Sequence, residues 1–175
     1  MIEIKDRVRN SALQAKITTA EAAAALIKPG MNLGVSGFTP AGYPKAVPLA
    51  LAERMKANPF QVNLWTGASV GKELDGALAE VKGIARRLPY QTNDAIRKQI
   101  NSGEIAYTDL HLSPPAQMSR YGYLGGEVDV AIELVELVEH HFGGVELELG
   151  AETDLRQAHV QRHLAAFEAG LDLAL

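Results

Sequence analysis

At 175 residues the chain has room for one substantial core and not for two. It holds no cysteine, which excludes a disulfide, a thiolate nucleophile and any Cys-ligated zinc or iron–sulfur centre. The net charge of -4 hides a split: residues 1–120 carry 15 Lys/Arg against 10 Asp/Glu, whereas residues 121–175 carry 2 against 11.

In chain order, Thr18-Thr19-Ala20-Glu21 reads as a capping box with Thr18 as cap, opening an Ala-rich helix that ends at Lys28-Pro29-Gly30. Met31 to Val35 is a short strand that must turn at Ser36-Gly37, and Lys45 to Ala57 resumes helical spacing through Val47, Leu51 and Met55. The unit repeats: strand Gln61 to Thr66, loop Gly67 to Gly71, helix Lys72 to Val81. A third round runs from strand Ile84 to Leu88, through Pro89-Tyr90-Gln91-Thr92, into a helix from Asn93 to Ile100. A fourth pairs strand Ile105 to Leu112 with helix Ala116 to Tyr123, and Val128 to Ile132 is a fifth strand. Alternation at this spacing predicts an α/β fold, a mostly parallel sheet with helices on both faces, and any ligand at the carboxyl ends of the strands.

The longest apolar run, Ala22 to Ile27, falls far below the roughly 20 residues that cross a bilayer. Met1 to Asn10 is charged throughout and lacks a secretory h-region, so a cytoplasmic location with no membrane partner is expected. A mildly basic body without a concentrated basic stripe or stacking aromatics suits a small anionic ligand, and no nucleic acid is expected.

The loop Gly34 to Gly42 does not spell G-x-G-x-x-G, and no Lys-Ser/Thr follows as in a P-loop, so the dinucleotide and ATP motifs are missing. It still offers backbone amides near a helix start, where anions are held; equally, its glycines only let strand and helix approach closely. Gly67-Ala68-Ser69-Val70-Gly71 spells G-x-S-x-G between strand and helix, the context of a nucleophile elbow. A Ser69 esterase would then take Asp94 or Asp109 as acid and His111, His140 or His141 as base. Thr92 either caps its helix or offers a second hydroxyl beside Ser69. Arg86, Arg87, Arg97 and Lys98 are expected to be solvated, and Asp109 with His111 to form a structural pair on one strand face. His159 and His163 stand at i, i+4 without a third ligand, so no metal is expected.

Five motifs then carry a family resemblance: V-S-G-F-T-P-A-G-Y-P-K from Val35, L-W-T-G-A-S-V-G-K-E-L-D-G from Leu64, R-R-L-P-Y-Q-T-N from Arg86, I-N-S-G-E from Ile100 and D-L-H-L-S from Asp109. Together they resemble the amino-terminal domain of the acetyl-CoA hydrolase/transferase family, which includes succinyl-CoA:acetate and propionyl-CoA:succinate CoA-transferases. The resemblance runs from about Ile4 to about Glu136. It implies a Rossmann-like three-layer domain over residues 1–136, followed by a divergent acidic tail over 137–175 in which Val160, Leu164, Phe167 and Leu171 mark an amphipathic helix.

The resemblance also implies that Ser69 and Thr92 supply hydroxyls to a pocket for an acyl or carboxylate group, with Gly37, Phe38, Thr39 and Gly67 forming the neighbouring wall. The substrates implied are a coenzyme A thioester and a small carboxylate, with no metal. Family enzymes work through a glutamate that attacks the acyl-CoA, and that glutamate lies in a second α/β domain. No glutamate here matches its motif, Glu133 and Glu136 included, so no catalytic residue is assigned and the isolated chain is expected to be inactive without a second domain or subunit. A domain deprived of its neighbour should self-associate or be covered by its own tail. Two other readings stay open: a non-catalytic remnant that binds a partner or a small carboxylate, and the Ser69 esterase.

Overall fold

The computed structural model describes residue 8 and residues 10–134. Five parallel strands, β1 (Asn32–Val35), β2 (Val62–Trp65), β3 (Ile84–Leu88), β4 (Ala106–Tyr107) and β5 (Val130–Ile132), form one sheet in the order β4-β3-β2-β1-β5. The helices are α1 (Ser11–Gln14), α2 (Ala20–Ala25), α3 (Ala46–Ala57), α4 (Ala77–Glu80), α5 (Asp94–Asn101) and α6 (Pro115–Arg120), and a π-helical turn, Lys72–Gly76, leads into α4. The α/β fold expected from the sequence is therefore the fold observed.

The chain marches outward from β1 to β4 through α3, α4 and α5, then returns to place β5 on the far side of β1. Strand order reverses at β1, and in such sheets ligands bind beyond the carboxyl ends of the strands. Alternation along the strands divides their side chains between two layers. Leu33, Val35, Val62, Leu64, Ile84, Val130 and Ile132 join one core with Val47, Leu51 and Met55 of α3, Leu78 of α4 and Ile96 of α5. On the opposite face Trp65 and Leu88 pack with Leu124, Leu110, Met118 of α6 and Val128. Helices thus cover both faces.

Arg54, in the last turn of α3, ties two helices together. Its Nη1 donates to the carbonyls of Ala24, at 2.7 Å, and Ile27, at 2.5 Å, at the end of α2, where carbonyls run short of helical donors. A polar row crosses the second face. Asn63 donates to Asn32 Oδ1 at 2.8 Å, and Asn32 Nδ2 donates to the Glu127 carbonyl at 2.8 Å. Arg86, beside Asn63 in register, donates to the Leu124 carbonyl at 3.1 Å. These bonds hold the return segment before β5, so Arg86 is a half-buried structural cation and not a solvated one.

Three further sequence expectations change. The cap of α2 is Thr19, not Thr18: its Oγ1 accepts from the Ala22 amide at 3.2 Å, with Glu21 in the first turn. The fourth strand stops after Tyr107, so Asp109 and His111 leave the sheet and do not share a strand face. Arg87 is fully buried, whereas solvation was expected. The tail helix, His140, His141, His159, His163, Glu136 and the boundary at residue 136 lie outside the described residues. Among the described residues no helix is long and apolar enough to cross a membrane, and no group of three metal-ligating side chains occurs.

Candidate functional site

Each of the first three strands ends in a loop that belongs to the site. After β1, Ser36 Oγ donates to the Gly42 carbonyl at 2.9 Å and the Phe38 amide to the Ala41 carbonyl at 3.1 Å, closing Ser36 to Gly42 into a compact turn. Gly37 sits at φ +127° in this turn, and a Cβ there would lie 2.6 Å from Tyr43 Cβ and 2.8 Å from Val70 Cγ1. Only glycine satisfies both the dihedral and the contact. Thr39 takes φ +57°, its hydroxyl on the Phe38 carbonyl at 2.6 Å, and Phe38 is left 54 % exposed. The Gly67 amide donates to the Gly37 carbonyl at 3.0 Å, joining the first loop to the second.

The second and third loops meet through hydroxyls. Ser69 Oγ accepts from the Thr92 amide at 2.5 Å and from Thr92 Oγ1 at 2.9 Å, and donates to the Tyr90 carbonyl at 3.5 Å. Ser69 is 5 % exposed while Thr92 faces solvent, so the pair runs from interior to surface. Thr92 is not the cap of α5. Asn93 takes that role, its Oδ1 accepting from the Ala95 and Ile96 amides, which leaves the Thr92 hydroxyl for Ser69.

Beneath the loops lies an ion pair that the sequence did not reveal. Arg87 and Asp75 are both fully buried. Arg87 Nη2 donates to Asp75 Oδ1 at 3.0 Å, to Thr66 Oγ1 at 2.8 Å and to the Ala68 carbonyl at 3.0 Å, and Nη1 donates to the Leu88 carbonyl at 2.5 Å. Asp75 Oδ2 accepts from the Val70 amide at 2.8 Å and from Gln91 Nε2 at 3.1 Å, and Gln91 Oε1 accepts from the Asn93 amide at 2.8 Å. Burial pushes the guanidinium pKa down, and the Asp75 charge opposes that shift. A buried pair repays its desolvation only when its remaining donors and acceptors are satisfied, as these are. The π-helical turn brings Asp75 to this position.

The loops enclose a cleft of about 430 Å³ lined by Phe38, Gly67, Ala68, Tyr90 and the stretch Asp109 to Leu112. Phe38, Tyr90 and Leu112 are exposed apolar walls. Asp109 and His111 both line the cleft without an ion pair between them. Burial, followed by the neighbouring Asp109 charge, pushes the Tyr107 phenol pKa up.

Of the residues expected at the site, Phe38 and Gly67 line this cleft, whereas Gly37, Thr39, Ser69 and Thr92 lie in the loops around it and not in its lining. The geometry speaks against a nucleophile elbow. Among the described residues Ser69 has Tyr90 and Thr92 as hydrogen-bond partners and no histidine. Its backbone also lacks the left-handed strain seen at Thr39 and Lys82. Asp94 is on the surface, paired with Arg97 one turn along α5.

Comparison with known proteins agrees with this fold. The family model for the acetyl-CoA hydrolase/transferase N-terminal domain matches residues 1–153. A succinyl-CoA:acetate CoA-transferase from Clostridium kluyveri is 48 % identical over 136 residues, covering 76 % of this chain and 25 % of the relative. A propanoyl-CoA:succinate CoA transferase from Escherichia coli is 44 % identical over 119 residues, covering 65 % of this chain and 24 % of its own length. The chain therefore spans about a quarter of the length of these curated relatives. Among solved structures, a RipA mutant superposes with a TM-score of 0.57 at 19 % identity, over 74 % of this chain and 31 % of that one. The apoenzyme of an acyl-CoA transferase from Escherichia coli O157:H7 gives 0.51 at 16 % identity, over 63 % and 23 %. These two likenesses concern the fold alone. With its motifs, parallel sheet and matched residues in agreement, the chain belongs to the acetyl-CoA hydrolase/transferase family, as the N-terminal domain of that family.

Proposed function

We propose that this chain forms one wall of a site that moves coenzyme A between an acyl-CoA and a small carboxylate, and that the attacking glutamate is supplied by a second domain or subunit. The observation that carries this reading is the meeting of the Ser69 and Thr92 hydroxyls at 2.9 Å beside the Gly37 bend and the Gly67 loop. A carboxylate accepts hydrogen bonds only, so it needs donors at fixed positions. Thr92 is the exposed member, and its one hydroxyl proton, which rests on Ser69 Oγ, turns to the ligand when a carboxylate arrives. The Ser69 proton turns toward the ligand most readily, because its bond to Tyr90 is the longest of the three at 3.5 Å. Phe38, Tyr90 and Leu112 flank the cleft as an apolar surface for the acyl chain or the thioester arm.

The chemistry requires a nucleophile to attack the thioester carbonyl, with donors in place where negative charge develops on its oxygen. Among the described residues Glu133 lies exposed after β5, away from the cleft lining, and the acids at the cleft are confined to Asp109. This chain accordingly positions and binds. Mixed with acetyl-CoA and succinate, the purified chain should yield no succinyl-CoA; turnover by the chain alone would contradict the reading.

A further inference from the structure

The buried ion pair does more than satisfy itself. Asp75 holds Val70 directly and Ala68 through Arg87, so both neighbours of Ser69 are fixed by one carboxylate. The same carboxylate holds Gln91 directly and Asn93 through Gln91, and these are the two neighbours of Thr92. Two loops more than 20 residues apart in sequence therefore have their four shoulder positions tied to a single side chain that is wholly out of solvent. We propose that Asp75 is the positioning residue of this edge: acting through Arg87 and Gln91, it sets the separation of the Ser69 and Thr92 hydroxyls and thereby the affinity for a carboxylate. Asp75 and Gln91 are both buried beneath the loops, so both act at one remove from any ligand.

This rests on the reading of Ser69 and Thr92 as the carboxylate-holding pair, and the test separates the two. Gln91→Leu is the informative variant, because it cuts the link from Asp75 to the Thr92 loop and leaves the ion pair intact. In the full chain, acetate affinity is measured by ligand-observed NMR, and hydrogen exchange at the amides of Ser69, Thr92 and Asn93 is followed in the same samples. Positioning predicts acetate binding weakened about tenfold, the equivalent of about 1.4 kcal/mol or one lost hydrogen bond. It also predicts that the Thr92 amide, held by its bond to Ser69 Oγ, loses protection from hydrogen exchange while the amides of β1 and β5 keep theirs.

Unchanged acetate affinity together with unchanged protection of the Thr92 amide overturns the proposal. If the wild-type chain binds no acetate, the carboxylate reading fails, and the Thr92 amide alone still decides whether Asp75 positions the loop. If Gln91→Leu does not fold, Asp75→Asn is measured in the same way. Should neither variant fold, the network is a requirement of the domain as a whole and a separable positioning role falls.

Discussion

Tyr43 shows how closely single residues are set at this edge. Its hydroxyl donates to Glu73 Oε2 at 2.6 Å and passes so near Gly71 that a Cβ there would stand 1.8 Å from Tyr43 Oη. Gly71→Ala must displace the phenol, at a cost of about 2 kcal/mol or more from overpacking and the lost hydrogen bond. A urea midpoint unchanged from wild type would refute that contact. The Tyr43 hydroxyl holds the Glu73 carboxyl below its ordinary 4.5, so folding favours the ionised form. The resulting stability is fully present above that ordinary value and is lost as pH falls through the lower folded-state value. Tyr43→Phe should therefore cost about 1 kcal/mol near neutral pH, with the gap to wild type closing in acid. Denaturation series at pH 7 and pH 3 check this, and a gap of constant size would contradict it.

At the scale of elements, most of the sheet was legible. Strands β1, β2, β3 and β5 and helices α3 and α5 fall within a residue or two of their expected limits, because apolar alternation and the glycine or proline breaks coincide there. The fourth strand was overextended. It is an edge strand with a single neighbour, and past the Thr108 amide bond to Arg87 the chain turns to line the cleft, which local pattern does not record. Arg87 was misread for a related reason. A charged residue in I-A-R-R-L looks solvated until Asp75, twelve positions away, is brought against it by a π-helical turn that no periodicity announces. The pair gives its own test: Asp75→Ala alone should cost about 3–5 kcal/mol by leaving a buried cation, while Asp75→Leu with Arg87→Met should cost less than either single change. A double variant more unstable than either single change would contradict this.

For the whole molecule, we propose that this domain packs against further protein. Phe38, Tyr90 and Leu112 are each more than half exposed around the cleft, and Tyr121 and Tyr123 stand exposed with ring centroids 5.8 Å apart. Exposed apolar groups gathered at a site mark a surface that takes a ligand or a partner. The chain should self-associate, or be covered by its own acidic end. Sedimentation with and without residues 150–175 distinguishes these, and a monomer of unchanged behaviour in both forms would count against covering of either kind.

Before the family resemblance, the sequence offered Ser69 only as a G-x-S-x-G serine and Thr92 only as a cap or a second hydroxyl. Nothing in the spacing of Ser69 and Thr92 says that two loops fold back on one another; that follows from Asp75, Arg87 and Gln91. The central claim is that this loop edge holds a carboxylate. Its most direct test is the footprint of acetate on the backbone amide spectrum of the full chain, in wild type and in Thr92→Val. The expected result is a saturable shift concentrated at Gly37, Gly67, Ser69 and Thr92 that weakens in the variant. A footprint elsewhere on the sheet, or one indifferent to Thr92, would contradict the account.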